Sequence, residues 1–450
     1  MKTKIILLIV GFVYFLACFW LEKIPFFWDY TTLSETAQKI NLQGFGLQNL
    51  SLVDSRQMLL YGYYLSACWT VFGKTLFVSH LVVLPFILGL TYEFIKLSEF
   101  FNLNKLYIFI GLLLLVADPT ISTQIILMGF DITLVYLFLA ALNSIFQNNV
   151  KMLIFYMSIL ALFSMRGIML LPVLVLFNLY FNKYNLKLLT FFSIPLFLSL
   201  IHLYIAKSGI AEDSSRQIVS LEQFFRNCIY IFWKICDFGR IFLLISIVIL
   251  YKSIPKSLKV LLLLLFVFFI FTMAPFSNPI GHRYFMILTV IMIIALLISI
   301  EKLYFNRQVA ILGIIVCFLI SGNFWLYHVK YGNGWDGSLK VLSYFETKDK
   351  LDLWLKEKKI EKKNIISGFP LLANNMKTNL SENTDEFADR RTDTIENYKY
   401  VVYSNVCNEF TQQELNSIKQ NWKLIKSFQN GQVEISVYQN PNNTLFQNSL

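Results

Sequence analysis

The chain has 450 residues, of which 56% are hydrophobic, 16% aromatic and only 15% charged, against about 25% charged in an ordinary soluble domain. A soluble globule cannot hide that much apolar surface, so a cytosolic enzyme, a disordered chain and a disulfide-stapled secreted domain are excluded and a multi-spanning membrane protein remains. The net charge of +11, from 39 Lys+Arg against 28 Asp+Glu, is spread through loops between apolar runs; this suits orientation in a membrane and attraction to anionic lipid rather than nucleic-acid binding.

Residues 5–21 follow Lys2 and Lys4 and are long enough for a first span. The bulky Cys18-Phe19-Trp20-Leu21 offers no small-residue cleavage site, so the segment reads as retained. Further spans are expected at 76–95, 106–117, 132–147, 152–165, 168–182, 187–206, 238–251, 259–276, 284–300 and 308–326, which makes eleven. The Tyr- and Trp-rich segment 57–73 is either another span or a helix lying in the interface. Lying flat, with the N-terminus inside, it leaves Lys96/Lys105, Lys151, Lys183/Lys187, Lys252/Lys256/Lys259 and Lys302/Arg307 in short cytoplasmic loops, as the positive-inside rule asks. The loop 22–75, the corner from Asp118 to Asp131, Arg166, the loop 207–237, the corner 275–283 and everything after about 327 then share the outer side.

The chain divides into a multi-spanning module, 1–326, and a soluble α/β domain, 327–450. In the latter, Leu351 to Ile360 reads as a Lys-rich helix, and Asn364-Ile-Ile-Ser-Gly-Phe-Pro and Tyr398-Lys-Tyr-Val-Val-Tyr as strands. Residues 376–397 read as a mobile polar loop. Thr411 to Phe428 reads as a helix with a Thr411/Glu414 capping box, and Val433-Glu-Ile-Ser-Val-Tyr as a last strand.

Ile24-Pro-Phe-Phe-Trp-Asp29 closes the first span with an aromatic belt and an acid. A carboxylate there is placed to take the proton of an acceptor hydroxyl; capping the helix that follows explains it equally well. Glu35 is the next acid on the same loop. Asp118 ends a span and Pro119 opens the following helix, while Asp131 opens the next span. Acids at membrane depth are costly and often functional, though both also suit caps. Arg166, in Ser164-Met-Arg-Gly, needs an anion such as Asp118 or a lipid phosphate. His282 and Arg283, in Asn278-Pro-Ile-Gly-His-Arg-Tyr284, form a similar corner that suits a phosphate or plain interfacial snorkelling. Arg216, Arg226, Lys234 and Arg240 flank the loop 207–237 with nothing to single one out.

The four His lie far apart, and Asp349 and Asp352 read as a solvated helix face, so neither metal nor other cofactor is expected. Cys228 and Cys236, roughly 12 Å apart on one helix, are too distant for a disulfide. No GxGxxG, GxxxxGK[ST] or GxSxG occurs.

In order along the chain stand the aromatic-Asp29 loop, Phe72-Gly-Lys-Thr-Leu-Phe-Val-Ser-His80, Asp118-Pro-Thr…Gln124…Gly129-Phe-Asp131, Met165-Arg-Gly167 and His282-Arg-Tyr284. Together, over residues 1–330, they resemble the GT-C fold glycosyltransferases, nearest in look to bacterial relatives of protein O-mannosyltransferases and aminoarabinose-lipid A transferases. The tail resembles the periplasmic α/β domain many such enzymes carry. The resemblance implies a helical inner-membrane enzyme with a long first periplasmic loop, a polyprenyl-phosphate sugar as donor and a lipid, glycan or protein as acceptor. It gives Asp29 as the acid that activates the acceptor, Asp118 as a second acid with Asp131 a weaker match, and Arg166 and Arg283 on the donor phosphate. The chain departs from the pattern in two places: Tyr30 follows Asp29 where many relatives have Asp-Glu, and Asp54-Ser-Arg-Gln-Met-Leu replaces a His-Pro-Pro-Leu run. The rival readings are a transporter of lipid-linked sugar and a polymerase or ligase of surface polysaccharide; the two similar halves of many transporters are not found.

Overall fold

A computed structural model describes residues 3–46, 59–182, 192–210, 218–277, 280–324, 334–407 and 409–441. The Asp54-Ser-Arg-Gln run, Lys183 and Lys187, Arg216, and Asn278-Pro279 lie outside the described residues. Helices stand at each expected span position: α1 (Thr3–Leu21), α4 (Leu76–Leu81) running into α5 (Leu84–Phe100), α6 (Lys105–Ala117), α8 (Asp131–Phe146), α9 (Val150–Phe163), α10 (Met165–Phe181), α11 (Ser193–Ile210), α13 (Arg240–Ile249), α14 (Lys256–Met273), α15 (Met286–Ile300) and α16 (Phe305–Ser321). Between them lie α2 (Tyr30–Gln43), α3 (Leu59–Phe72), α7 (Pro119–Ile126) and α12 (Leu221–Cys236).

Among the described residues, four helices are long and apolar enough to cross a membrane: Thr3–Leu21, Leu76–Phe100, Lys256–Met273 and His282–Ile300. α6 and α7, bent by 69°, make a fifth if they form one span, and five more apolar helices have only 10–17 residues. Length therefore supports four or five crossings, fewer than the eleven expected. Corner residues cut the helices short: Ser164 ends α9 and caps α10, and Asp118 ends α6 and caps α7.

Two of the apolar helices sit at the centre of the body. All of α15 is buried, and all of α8 except Tyr136. α1 instead presents Leu8, Phe12, Val13, Leu16 and Phe19 outward. The 14-residue α3 packs on α2, with Asn41 Nδ2 donating to Thr70 Oγ1 at 2.9 Å.

The C-terminal part holds a five-stranded sheet of order β2-β1-β3-β5-β4. Its strands are β1 (Ile365–Ser367), β2 (Ala388–Asp389), β3 (Tyr400–Ser404), β4 (Lys423–Asn430) and β5 (Val433–Gln439). β1 pairs in parallel with β2 and β3; β5 is antiparallel to β3 and β4. α17 (Leu342–Glu357) packs on β4 and β5. The Lys-rich helix thus begins nine residues before Leu351 and ends at Glu357. The stretch 376–397 is not a bare loop, since it holds most of α18 (Asn375–Asn379), then β2 and a turn at Ile395–Asn397. α19 (Gln412–Asn421) carries the expected capping box but stops at Asn421, and Lys423–Asn430 is a strand.

One hydrophobic core runs through both parts, from Tyr14 and Leu114 to Leu351, Ile365 and Val437. The first loop joins them: Phe26 N–H donates to Thr378 O at 2.9 Å, and Gln38 Nε2 to Met376 O at 2.9 Å.

Candidate active site

Arg283 is the centre of the site. It follows His282 in a single 3-10 turn (His282–Phe285) that leads into the buried α15, so a long cation is delivered at the mouth of the bundle. Its side chain is 2% exposed. Nη2 donates to Asp29 Oδ2. Nε lies 3.2 Å from Asp336 Oδ2 and 3.8 Å from Asp131 Oδ2, and Nη1 donates to Tyr30 Oη at 3.4 Å. A buried guanidinium requires this company, since an unpaired charge at such depth costs several kcal/mol.

Arg166 occupies the next position. Ser164 accepts from Gly167 N–H at 3.1 Å and starts α10 there. Nη1 of Arg166 donates to Asp131 Oδ1, and the guanidinium lies between the Phe130 ring (4.5 Å) and the Tyr284 ring (4.6 Å). Its anion is therefore Asp131, not Asp118. Tyr30 Oη donates to Gln124 Oε1, and Gln124 Nε2 donates to the Asp336 carbonyl at 2.8 Å. Burial pushes the Tyr30 phenol well above its ordinary range, with Arg283 opposing, so it stays a neutral donor.

Beside these charges opens a small cavity of about 30 Å³. Leu134, Leu170, Phe268, Phe269, Met273 and Met286 line it with apolar surface, together with the polar Asp131, Arg166 and Arg283. Asp29, 27% exposed, is the open carboxylate of the cluster; Asp131 and Asp336 are only 4% and 6% exposed.

Three expected site residues stand elsewhere. Asp118 has no exposed surface. Arg240 Nε meets its Oδ2 at 2.6 Å and Arg240 Nη2 its Oδ1 at 2.7 Å, while Oδ1 also accepts from Thr120 and Ile121 N–H at 3.0 Å. Its oxygens are taken by this pair and by the α7 cap, so it holds the α6–α7 corner. His282 is fully buried against Phe238 and away from the cavity lining. Its Nε2 lies 2.7 Å from Asp237 Oδ2; a carboxylate only accepts, so Nε2 carries the proton. Glu35 bridges Lys39 and Lys377, each at 3.1 Å, and ties α2 to α18. Burial raises its carboxyl, but the two ammonium groups outweigh this and hold it below the ordinary range.

The pattern of apolar runs could not reveal Asp336, Arg240 or Asp237. Asp336 arrives on Gly334-Trp-Asp-Gly337, a turn laid into the helical body. Thr120 Oγ1 donates to Gly337 O at 3.1 Å, and a Cβ on Gly334 would stand 2.5 Å from the His282 ring. Only glycine lets that backbone come so close. Among the described residues no group of three His, Cys, Asp or Glu is arranged to hold a metal, and the six cysteines are free.

Compared with solved structures, the chain has the GT-C fold. It matches ArnT of Cupriavidus metallidurans, a GT-C glycosyltransferase, solved bound to undecaprenyl phosphate and in the apo state. Both matches have a TM-score of 0.54 and 11% identity, and cover 96% of this chain and 97% of that one. No family model matches the chain, and neither does any curated protein.

Proposed function

We propose that this chain is an integral-membrane glycosyltransferase that moves a sugar from a polyprenyl-phosphate donor to a lipid, glycan or protein acceptor. It works at the outer face of a bacterial cell membrane, with the N-terminus cytoplasmic and the sheet domain outside. The carrying observation is the cavity lining: apolar side chains stand with two guanidiniums, which suits the phosphate end of a ligand made of an isoprenoid tail and one phosphate. That ArnT, with the same fold, holds undecaprenyl phosphate supports the choice of carrier.

In this reading Asp29 takes the proton from an acceptor hydroxyl as its oxygen bonds to the anomeric carbon. The bond from that carbon to the phosphate oxygen breaks, and polyprenyl phosphate leaves with its charge held by Arg166 and Arg283. The sugar carbon inverts. Donors aimed at developing charge in a partly dry site are each worth roughly 3–4 kcal/mol.

Mass spectrometry of lipid-linked sugars and envelope glycans in the native host tests it, comparing wild type with Asp29→Asn at matched expression. One sugar should vanish from its acceptor while its polyprenyl-phosphate form accumulates. If the variant's profile equals wild type while a full deletion changes it, the proposal fails and the transporter reading replaces it.

A further inference from the structure

The C-terminal sheet places chemistry over Asp29 that the donor reading leaves unused. β2, β1 and β3 are parallel, and the residues leaving their carboxyl ends are Arg390–Arg391, Gly368–Pro370, and Asn405–Cys407 with Glu409. Ligands of open α/β sheets are met at this edge. Here the edge is turned toward the first loop. The Phe369 ring packs edge-on against Trp28 with centroids 4.9 Å apart. Phe369 N–H donates to Glu409 Oε2 at 2.7 Å, which fixes the carboxylate beside that pair. Burial pushes the Cys407 thiol, two residues before Glu409, up to about 12. Arg391 lies within electrostatic reach of Glu409.

Two further facts mark the spot. Trp28, Asp29, Phe369, Cys407 and Glu409 all keep part of their surface open, whereas Phe26, Phe27, Tyr30, Pro370 and Phe410 beside them are buried. Trp28 also holds φ +58°, a left-handed backbone that is costly for a bulky side chain and needs the surrounding structure to enforce it. That conformation sets the Trp28 ring on Phe369 and leads directly into Asp29.

An aromatic face next to a fixed carboxylate is the chemistry that recognises a sugar ring: its C–H face lies on the rings and its hydroxyls donate to the acid. We propose that Trp28, Phe369 and Glu409 form a saccharide subsite beside Asp29, which holds the acceptor's sugar ring with one hydroxyl toward Asp29. The proposal rests on the transferase reading and narrows it: the acceptor carries a sugar, as a glycan or a glycolipid head.

The test uses the full chain in nanodiscs and a panel of methyl glycosides read by saturation-transfer NMR, with undecaprenyl phosphate binding measured in parallel. At least one glycoside should bind. Phe369→Ala and Glu409→Gln should each weaken it tenfold or more, Phe369→Tyr should keep it, and undecaprenyl phosphate binding should stay unchanged in all three. A monoglycosyl diacylglycerol bearing the same sugar, placed in the nanodisc, separates the sources: tighter binding than the methyl glycoside supports a glycolipid head, and equal binding supports a free glycan. Silence of every glycoside and of the glycolipid overturns the proposal, as does binding that persists undiminished in Phe369→Ala and Glu409→Gln. If wild type binds a glycoside but not undecaprenyl phosphate, the donor reading falls and the saccharide site stands.

Discussion

The Asp118–Arg240 pair gives the sharpest prediction about what holds the site in place. Both side chains have no exposed surface, and their two contacts are 2.6 and 2.7 Å. Arg240→Met leaves a buried carboxylate with only the Thr120 and Ile121 N–H groups as donors. Breaking one half of a buried pair costs about 3–5 kcal/mol, which lowers Tm by roughly 5 °C or more in a chain of this size. Asp118→Asn keeps the α7 cap through Oδ1 but strands the guanidinium, at a similar cost. The double variant strands nothing, so its loss should be clearly smaller than the sum of the two, with a coupling of about 2 kcal/mol or more. Thermal unfolding of the four proteins in one detergent measures this. Transfer per folded molecule should survive in the double variant within about tenfold, because Asp118 meets no substrate in this geometry. Additive losses of stability would refute the pairing argument. A stable double variant without activity would return Asp118 to the chemistry.

Three further outcomes follow from the geometry. Asp29→Asn should lower transfer by about 10²–10⁴-fold while undecaprenyl phosphate binding, measured by native mass spectrometry, persists. Burial raises the Asp352 carboxyl, but Lys348 and Lys362, at 3.0 and 2.9 Å, outweigh it and hold it below the ordinary range; its stabilisation is therefore present above the unfolded carboxyl's value and lost as pH falls through the folded one, and thermal scans below pH 5 should show a shallower acid loss in Asp352→Asn than in wild type. Thr411→Ala removes a cap that accepts from Glu414 N–H and should cost about 1 kcal/mol, seen as faster amide exchange confined to α19.

The sequence made the corners legible because a charge at the end of an apolar run stands out against its surroundings. Asp29, Asp131, Arg166 and Arg283 all lie at such ends, and the fold brings them together. Which cation meets which acid was not legible. Arg240 reaches Asp118 across 122 positions and His282 reaches Asp237 across 45, and nothing local encodes such pairings. Asp336 escaped notice because a glycine-rich turn after the last span looks like linker; its role exists only once Gly334 and Gly337 let the backbone lie on His282 and Phe238. The β4–β5 hairpin was readable in principle. Gly431-Gln432 is the two-residue loop between the paired Asn430 and Val433, and a glycine at its first position, here at φ +59°, is a hairpin signal. The stretch from Thr411 nevertheless reads as helix through Phe428, because β4 is an edge strand so exposed that its alternation is faint.

The charges at the centre set an order of events. Three carboxylates, Asp29, Asp131 and Asp336, share two guanidiniums, and Arg283 alone touches all three acids. In the proposed reaction a donor phosphate competes for Arg283, and the partner easiest to displace is the partly open Asp29, since Asp131 and Asp336 are held in the interior. Once Arg283 turns to the phosphate, the Asp29 oxygen it held is free to accept from the acceptor hydroxyl. Without donor, that oxygen is occupied by Arg283. Binding should therefore be ordered, donor before acceptor, with polyprenyl phosphate competitive against donor and noncompetitive against acceptor in steady-state inhibition. Arg283→Lys, a point charge that cannot fork between two anions, should blur this order and lower kcat more than it raises the donor KM. A random-order inhibition pattern in wild type would mean that Asp29 is a working base before the donor arrives, and that its bond to Arg283 has no part in timing the reaction.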